Sequence, residues 1–183
     1  MSKKVLIPLA QGCEELEAVT LIDLFRRAGL DVLTAGLDNE VVTCSRGVRI
    51  LPDTTLEQVK KATFDLVVLP GGMPGTDHLD RDPRIQSIIK EHFAAGKYIG
   101  AICAAPKVLA SAGLLEGKIA TGFPGTLERL DLKNTRLSNA AVEVDGKIVT
   151  SRGPGTAIDF ALTLIELVLD REKCIEVENQ LKR

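Results

Sequence analysis

The feature that most constrains the fold is a regular alternation, along the whole chain, between short apolar runs and helical patterns. The runs "KKVLIPLA", "DVLTAGL", "FDLVVLPGG" and "YIGAIC" are rich in Val, Ile and Leu, which is typical of strands buried on both faces. The segments between them carry helix signals, such as the capping Asp82, the early Pro83 and the closing Gly96 of "DPRIQSIIKEHFAAG". Strands that alternate with helices predict an α/β sandwich of three layers, a mostly parallel sheet with helices on both faces.

Two antiparallel excursions interrupt this alternation. The stretch "EVVTCSRGVRILPD" predicts two short strands around a turn, and "AAVEVDGKIVTS" predicts a hairpin that turns at Asp145 and Gly146. A long apolar helix is predicted from about Thr156 to Leu169, and a charged helix follows it.

Length and composition favour an ordinary globular protein. The 183 residues suit one domain over 1–183, and 45% hydrophobic with 26% charged residues is a usual mixture. A net charge of −2, scattered basic residues and no tryptophan give no sign of nucleic-acid or membrane binding. The first apolar stretch is too short for a secretion signal, so a cytoplasmic protein is expected. Its four separated cysteines are expected to be free thiols.

Cys103 is the candidate nucleophile. Ligands of such folds bind at the carboxyl ends of the strands, where the loops "LAQGCEE", "LPGGMPG", "AICAAP" and "SRGPGT" are expected to meet. In "AICAAP" a strand ends on Cys103 and a helix follows, so unpaired backbone N–H groups are expected to stabilise its thiolate. The alternative is a small hydrophobic residue in a buried strand, because free cysteine is often buried.

Glu17 is the candidate proton carrier. It precedes Leu21 and Leu24 at helical spacing and is expected to point inward, where burial raises the pKa of a carboxyl. Glu14 and Glu15 compete with it, and acids in a first helical turn often only complement the helix dipole.

Other chemistry-bearing patterns are weak or absent. Gly72 in "LPGGMPG" lets backbone approach a ligand and offers an N–H to an oxyanion, although a plain tight turn explains the glycines equally well. No dinucleotide fingerprint, P-loop or metal-ligand spacing is complete, so neither a cofactor nor a metal is expected. His78, in a polar loop, and His92, on a charged helix face, are both expected at the surface.

Six motifs in order, "LAQGCEELEAVT", "TCSRGV", "VVLPGGMPG", "AICAAPKVL", "TGFPGTLE" and "TSRGPGTAIDFAL", make the chain resemble the ThiJ/PfpI superfamily. It is most similar to the branch of the Parkinson-disease-associated deglycase and its bacterial relative YajL. The resemblance spans nearly the whole chain. It implies one flavodoxin-like domain, also described as class I glutamine amidotransferase-like, and a homodimer without cofactor.

The resemblance also assigns roles to residues. Cys103 matches the nucleophile, and Glu17, the third acid of "EELE", matches its partner carboxylate. The backbones of Gly72 and Ala104 match the donors to an oxyanion. Cys44 and Arg46 match two redox-linked residues, and Gly153 and Pro154 match residues that wall the site near a dimer interface. The loop after "KIAT" reads "GFPG" and lacks the histidine that some members place there.

Three candidate functions follow. The first is a cysteine-dependent glyoxalase and protein or nucleotide deglycase, acting on methylglyoxal, glyoxal and early glycation adducts of amines or thiols. The second is a redox sensor or redox-regulated chaperone in which Cys103 is oxidised to sulfinic acid. A PfpI-type peptidase is the third, and Ala104 speaks against it because those peptidases carry histidine directly after the cysteine.

Overall fold

The structure, a computed structural model, describes residues 2–182. The strands in chain order are β1 (Lys4–Leu9), β2 (Asp31–Gly36), β3 (Val42–Thr43), β4 (Arg49–Ile50), β5 (Thr54–Thr55), β6 (Leu66–Leu69), β7 (Tyr98–Ile102), β8 (Ile119–Ala120), β9 (Arg136–Leu137), β10 (Val142–Asp145) and β11 (Ile148–Ser151). The helices are α1 (Glu15–Arg27), α2 (Leu56–Val59), α3 (Gly75–Arg81), α4 (Pro83–Ala94), α5 (Pro106–Ser111), α6 (Ala157–Val168) and α7 (Arg171–Leu181).

Seven strands of this described part form the central sheet, in the order β10-β11-β7-β6-β1-β2-β5. All neighbours pair in parallel except β10 and β11, which form the predicted hairpin. The strands β3 and β4 pair antiparallel outside this sheet, also as predicted. The α/β fold with a mostly parallel sheet is therefore confirmed.

Helices cover both faces of the sheet, because its central strands present apolar side chains on both sides. All four residues of β6 are buried, as the continuous run "LVVL" predicts. One apolar cluster packs α1, α6 and α7 against the sheet, with Phe25 and Phe160 among its largest side chains. The other includes Leu79, Ile89 and Leu109 from α3, α4 and α5.

The topology brings the four predicted loops to one edge of the sheet. The strands β11, β7, β6 and β1 are adjacent and parallel, so their carboxyl ends lie side by side. The loops that follow these strands are those at Gln11, Gly71, Cys103 and Arg152. This edge is where a site is expected.

The helix α3 was not predicted by the sequence. Its seven residues, "GTDHLDR", are largely polar, and no side chain caps its first turn. The helix is kept in place by burial of Leu79 against α4 and α5, which is a tertiary effect. No helix within residues 2–182 combines the length and apolar character needed to cross a membrane.

Candidate active site

Cys103 lies in the turn between β7 and α5. Its φ of +64° is in the left-handed region, which costs a non-glycine residue roughly 1–3 kcal/mol. Its N–H donates to the Ser151 carbonyl over 2.9 Å, and its carbonyl accepts from the Phe123 N–H over 2.7 Å. Two neighbouring segments thus hold the cysteine in its strained conformation, at the strand-to-helix transition that the sequence predicted.

Glu17 is the acid that meets Cys103. Its helical spacing with Leu21 and Leu24 places it inward, and it is fully buried, as predicted. Oε2 accepts a 2.8 Å hydrogen bond from the Gly71 N–H, and the same carboxyl interacts with the Cys103 thiol. Within residues 2–182, no group hydrogen-bonds to Oε1. One carboxyl oxygen is therefore available to hold or transfer a proton beside the thiol.

The two glycines after β6 make this contact sterically possible. A Cβ at Gly71 would lie 2.6 Å from Cys103 Cβ and 2.8 Å from Glu17 Oε2, closer than real atoms approach. Gly72 has φ +90°, and a Cβ there would lie 2.3 Å from the Glu14 nitrogen. The double glycine is thus required by close packing around the thiol, beyond the tight turn that it also forms.

Burial dominates the ionisation of both groups. It raises the pKa of Glu17 from 4.5 to about 7, against the lowering effect of hydrogen bonds with Gly71 and Cys103. Burial and then the negative charge of Glu17 raise the pKa of Cys103 to about 12, although the N–H groups of Gly72 and Ala104 lower it. The expectation of a readily ionised thiol is wrong: the predicted backbone donors are present, but burial and the adjacent carboxylate outweigh them.

The two groups therefore compete for a proton. The charge of Glu17 is one of the causes that raise the pKa of Cys103. Moving the proton from Cys103 to Glu17 removes that charge and turns the carboxyl into a donor towards the sulfur. Transfer of the thiol proton to Glu17 is therefore the route to a thiolate that this arrangement offers.

The other two acids of "EELE" have structural positions. Glu14 caps α1, since its Oε2 accepts from the Glu17 N–H over 2.8 Å. Glu15 accepts hydrogen bonds from Ser45 Oγ and from the Arg46 and Val48 N–H groups. Burial raises the pKa of Glu15, but these hydrogen bonds outweigh it and hold the pKa below its ordinary value. Glu15 thereby fastens the β3–β4 turn to α1.

A cavity of about 560 Å³ opens beside Cys103. Five of the predicted residues line it: Arg46, Gly72, Cys103, Ala104 and Pro154. Side chains that the sequence did not single out complete the wall, among them Met73, Lys107, Phe123, Arg129 and Leu130. The loop "TGFPGTLERL" holds three of these, and its glycines and proline were a signal that it bends towards the site.

Three predicted residues lie outside this cavity wall: Glu17, which is buried beside Cys103, and Cys44 and Gly153. Cys44 is buried, and its Sγ is 3.5 Å from Cys13 Sγ, a contact that 31 residues of sequence separation concealed. Gly153 packs next to Phe123, behind the Pro154 that lines the cavity. All four cysteines of the chain fall within the described residues and are free thiols. The redox-linked role of Cys44 stays a prediction.

The histidine predictions need correction. His92 is buried, with Nε2 3.0 Å from the Tyr98 carbonyl oxygen, and burial lowers its pKa. His78 lies on α3, half-buried, with Nδ1 3.0 Å from the Gln11 carbonyl oxygen. Packing of α4 against the sheet buries His92 despite its charged sequence neighbours. Neither histidine lines the cavity at Cys103, and the described residues hold no group of three or more side chains arranged for a metal ion.

Known proteins are similar in sequence to this chain over most of its length. Protein dj-1beta from Drosophila melanogaster is 44% identical over 178 residues, which are 97% of this chain and 95% of the relative. A Caenorhabditis elegans protein named glutathione-independent glyoxalase DJR-1.2 is 36% identical over 172 residues, 94% of this chain and 91% of the relative. Protein DJ-1 homolog B from Arabidopsis thaliana is 44% identical over 98% of this chain, which spans only 41% of that longer relative.

The fold and the family comparison agree with these similarities. The crystal structure of Drosophila melanogaster DJ-1beta superposes with a TM-score of 0.94 at 43% identity, covering 99% of this chain and 98% of that one. The family described as DJ-1/PfpI matches residues 3–167 of the sequence. The chain belongs to the DJ-1/PfpI family.

Proposed function

We propose that this protein is a cofactor-independent glyoxalase that converts methylglyoxal to lactate and glyoxal to glycolate. The observation that carries the proposal is the strained Cys103, in contact with a fully buried Glu17 and lining an open cavity. A nucleophile and a proton carrier with a pKa of about 7 are the two groups that this reaction needs. The name of the Caenorhabditis elegans relative, a glutathione-independent glyoxalase, supports the same chemistry.

The first step is addition of sulfur to the aldehyde. Glu17 takes the thiol proton, and the Cys103 thiolate attacks the aldehyde carbon to form a hemithioacetal. The aldehyde oxygen becomes an alkoxide, and the N–H groups of Gly72 and Ala104, which already interact with Cys103, are the donors placed to stabilise it. Glu17 then gives the thiol proton to the alkoxide, which completes the hemithioacetal and restores the Glu17 carboxylate.

The second step moves a proton within the substrate. Glu17 removes the proton from the aldehyde carbon and delivers it to the neighbouring ketone-derived carbon, through an enediol. The aldehyde carbon is thereby oxidised to a thioester and the ketone carbon is reduced to an alcohol, so no external oxidant is required. Water then hydrolyses the thioester, releasing the hydroxy acid and the thiol. The unbonded Oε1 of Glu17 is suited to this transfer.

The proposed activity extends to early glycation adducts. Methylglyoxal bound to an amine or thiol of a protein or nucleotide presents the same two carbons, and the amine or thiol leaves as the hydroxy acid forms. We propose this deglycase activity in addition to the glyoxalase activity. A cytoplasmic location and a role in carbonyl and oxidative stress defence are proposed with it.

Lactate production tests the proposal. Wild-type protein in an amine-free buffer is expected to form one enantiomer of lactate from methylglyoxal, whereas Cys103→Ser is expected to form none above background. Cys174→Ser is the matched control, because Cys174 is a buried thiol on α7 outside the cavity wall. Equal lactate formation by wild type and Cys103→Ser would overturn the proposal.

Glu17→Gln tests the proton carrier separately. The amide keeps an oxygen for the Gly71 N–H but cannot accept the thiol proton, so turnover is expected to fall by about 10²- to 10⁴-fold. Wild-type kcat/KM is expected to rise with pH through about 7, as Glu17 ionises, and this rise is expected to vanish in the variant. Unchanged turnover in Glu17→Gln would remove the glutamate from the mechanism.

A redox sensor or redox-regulated chaperone is the second candidate. It is favoured by the position of Cys103, which lines the cavity while the other three cysteines, all within the described residues, do not. Two molecules of hydrogen peroxide would oxidise its thiolate to the sulfinate and leave two waters. Mass spectrometry after mild peroxide treatment is expected to find sulfinate first at Cys103. Equal oxidation of all four cysteines would contradict a sensor.

A homodimer is proposed as the assembly. Four exposed apolar side chains support it, two on α1 and two at the β3–β4 hairpin that Glu15 fastens to α1: Leu16, Val19, Val48 and Leu51. Light scattering is expected to give twice the 19.7 kDa chain mass, and Leu51→Glu is expected to shift the protein towards monomer. A monomeric wild-type protein would contradict the dimer.

A further inference from the structure

The cavity at Cys103 carries more positive than negative side chains. Arg46, Lys107 and Arg129 line it, against one acid, Glu14. The positive residues come from three separate segments: the β3–β4 turn, α5 and the loop after β8. The excess of cations is thus produced by the tertiary structure, since the whole chain has a net charge of −2.

Two of these three cations lack an internal acidic partner. Lys107 is paired with Asp77, its Nζ 2.6 Å from Oδ1. Within residues 2–182, no carboxylate lies within 4.0 Å of the guanidinium of Arg46 or Arg129. Among the same residues, the Arg46 guanidinium donates only to the Ser45 carbonyl, over 3.3 Å, and both arginines are exposed. Two guanidinium groups are therefore available to a bound molecule.

The backbone near each arginine is held in place. The Arg46 N–H donates to buried Glu15 over 2.8 Å, so the turn carrying the arginine is fixed to α1. Arg129 lies beside Gly125, whose N–H donates to Glu128 over 2.9 Å. Because these backbone segments are already held in place, less conformational entropy is lost when either guanidinium binds a ligand.

The rest of the wall is suited to a short hydrocarbon segment. Met73, Phe123 and Leu130 line the cavity together with Cys103. A ligand that reaches from the thiol to the arginines would therefore place carbon against apolar side chains and a charged end against guanidinium groups. Guanidinium pairs with carboxylate and phosphate by two parallel hydrogen bonds, which makes these the matching anions.

We propose that the preferred substrates are 2-oxoaldehydes with an anionic group, a carboxylate or a phosphate, at the end away from the aldehyde. The inference rests on the proposed glyoxalase function and names its substrate class. Cys103 and Glu17 act on the two carbonyl carbons, while Arg46 and Arg129 bind the distant anion. For 4,5-dioxopentanoate the aldehyde carbon is oxidised, the ketone carbon is reduced, one water is added, and the product is 2-hydroxyglutarate.

A pair of five-carbon substrates tests this selectivity. 4,5-Dioxopentanoate carries the carboxylate, and 2-oxopentanal has the same chain length without it. Wild-type kcat/KM is expected to favour the anionic substrate, and Arg46→Gln and Arg129→Gln are each expected to reduce that preference by about tenfold. Arg81→Gln is the matched control, an exposed arginine on α3 outside this cavity wall, and it is expected to keep the preference.

A second pair of substrates tests phosphate: kcat/KM for 3-phosphooxy-2-oxopropanal is compared with kcat/KM for methylglyoxal. A preference for this compound alone would assign the arginines to phosphate, and a preference for 4,5-dioxopentanoate alone would assign them to carboxylate. Both preferences are expected to weaken at high salt, because the arginines are exposed. Equal kcat/KM for charged and neutral members of both pairs would overturn the inference, even if all are turned over.

Alkylation of Cys103 provides a readout that needs no turnover. Iodoacetate is anionic and iodoacetamide is neutral. The rate at which iodoacetate alkylates Cys103, divided by the rate for iodoacetamide, therefore reports the charge of the cavity. The ratio is expected to fall in the Arg46→Gln/Arg129→Gln double variant and to be unchanged in Arg81→Gln. A falling ratio in a protein without glyoxalase turnover would retain the anion site and overturn the proposed function. An unchanged ratio would contradict the anion site.

Discussion

The protein buries sulfur in two different ways, at Cys103 and at the contact between Cys13 and Cys44. The Cys13 and Cys44 sulfurs are 3.5 Å apart, and burial raises the pKa of both thiols. Burial also raises the pKa of Cys103, but two backbone N–H groups lower it. In addition, the Glu17 carboxyl beside it has a pKa of about 7. Cys103 also lines a cavity, whereas the other two thiols do not.

The comparison shows how the surroundings of the candidate nucleophile differ from those of two thiols that only pack. Cys13 and Cys44 pack as small apolar residues, and after burial the charges of Glu15 and Glu14 are among the causes that raise the pKa of both thiols. At Cys103 the polar groups come from α1, from the loop after β6 and from the turn before α5. The candidate site is therefore assembled from three segments, and each can be altered to test the difference.

Alkylation is expected to separate the two environments most strongly. Iodoacetamide is expected to modify Cys103 more than about a hundredfold faster than Cys13 or Cys44, because Cys103 lines the cavity and has Glu17 beside it to accept the thiol proton. Peptide mass spectrometry over a time course measures the three rates. In denaturant the three cysteines are expected to react alike, and equal rates in the folded protein would remove the distinction.

Gly71→Ala is expected to disrupt the packing around Cys103 and to leave the contact between Cys13 and Cys44 unchanged. The added Cβ would meet Cys103 Cβ, Glu17 Oε2 and the Ile102 carbonyl, which is 2.8 Å away. Overpacking of this kind is expected to cost about 3 kcal/mol in the free energy of unfolding, together with most of the turnover. Urea denaturation measures the loss. Gly155→Ala is the control with open space around it, and an equal loss there would contradict the packing argument.

Stability is expected to depend on pH through Glu17. Its pKa is about 7 when folded and 4.5 ordinarily, so the folded protein binds this proton more tightly than the unfolded chain. The resulting stabilisation is full below pH 4.5 and is lost as pH rises through about 7, by about 3 kcal/mol in total. Urea unfolding from pH 4.5 to 8 is expected to show this fall in wild type relative to Glu17→Gln. A constant difference between the two proteins would contradict the raised pKa.

Cys13→Ala is expected to have the smallest effect. Loss of the sulfur contact with Cys44 is expected to cost about 1 kcal/mol in the free energy of unfolding, as for a small cavity in a core. Turnover and the alkylation rate of Cys103 are expected to match wild type. A large loss of turnover in this variant would show that the two sulfur environments are coupled.

Local patterns were sufficient to predict part of the site. The strand ending at Cys103, the double glycine at 71–72 and the inward spacing of Glu17 are short-range features of the sequence, and the structure shows all three. The same kind of reasoning was wrong for His92, whose burial depends on how α4 packs against the sheet. It also missed α3, which is held by contacts with α4 and α5.

By itself, the sequence determined the order of the main strands and helices apart from α3, the sheet edge that holds the loops and the candidate thiol, because periodicity and turn residues act over a few neighbours. Only the tertiary structure decided that Cys13 contacts Cys44 and that Arg46 and Arg129 share one cavity. These contacts join residues far apart in the chain. Their geometry follows from how the layers pack, and burial then shifts the pKa of Glu17 and Cys103 by amounts that no local pattern contains.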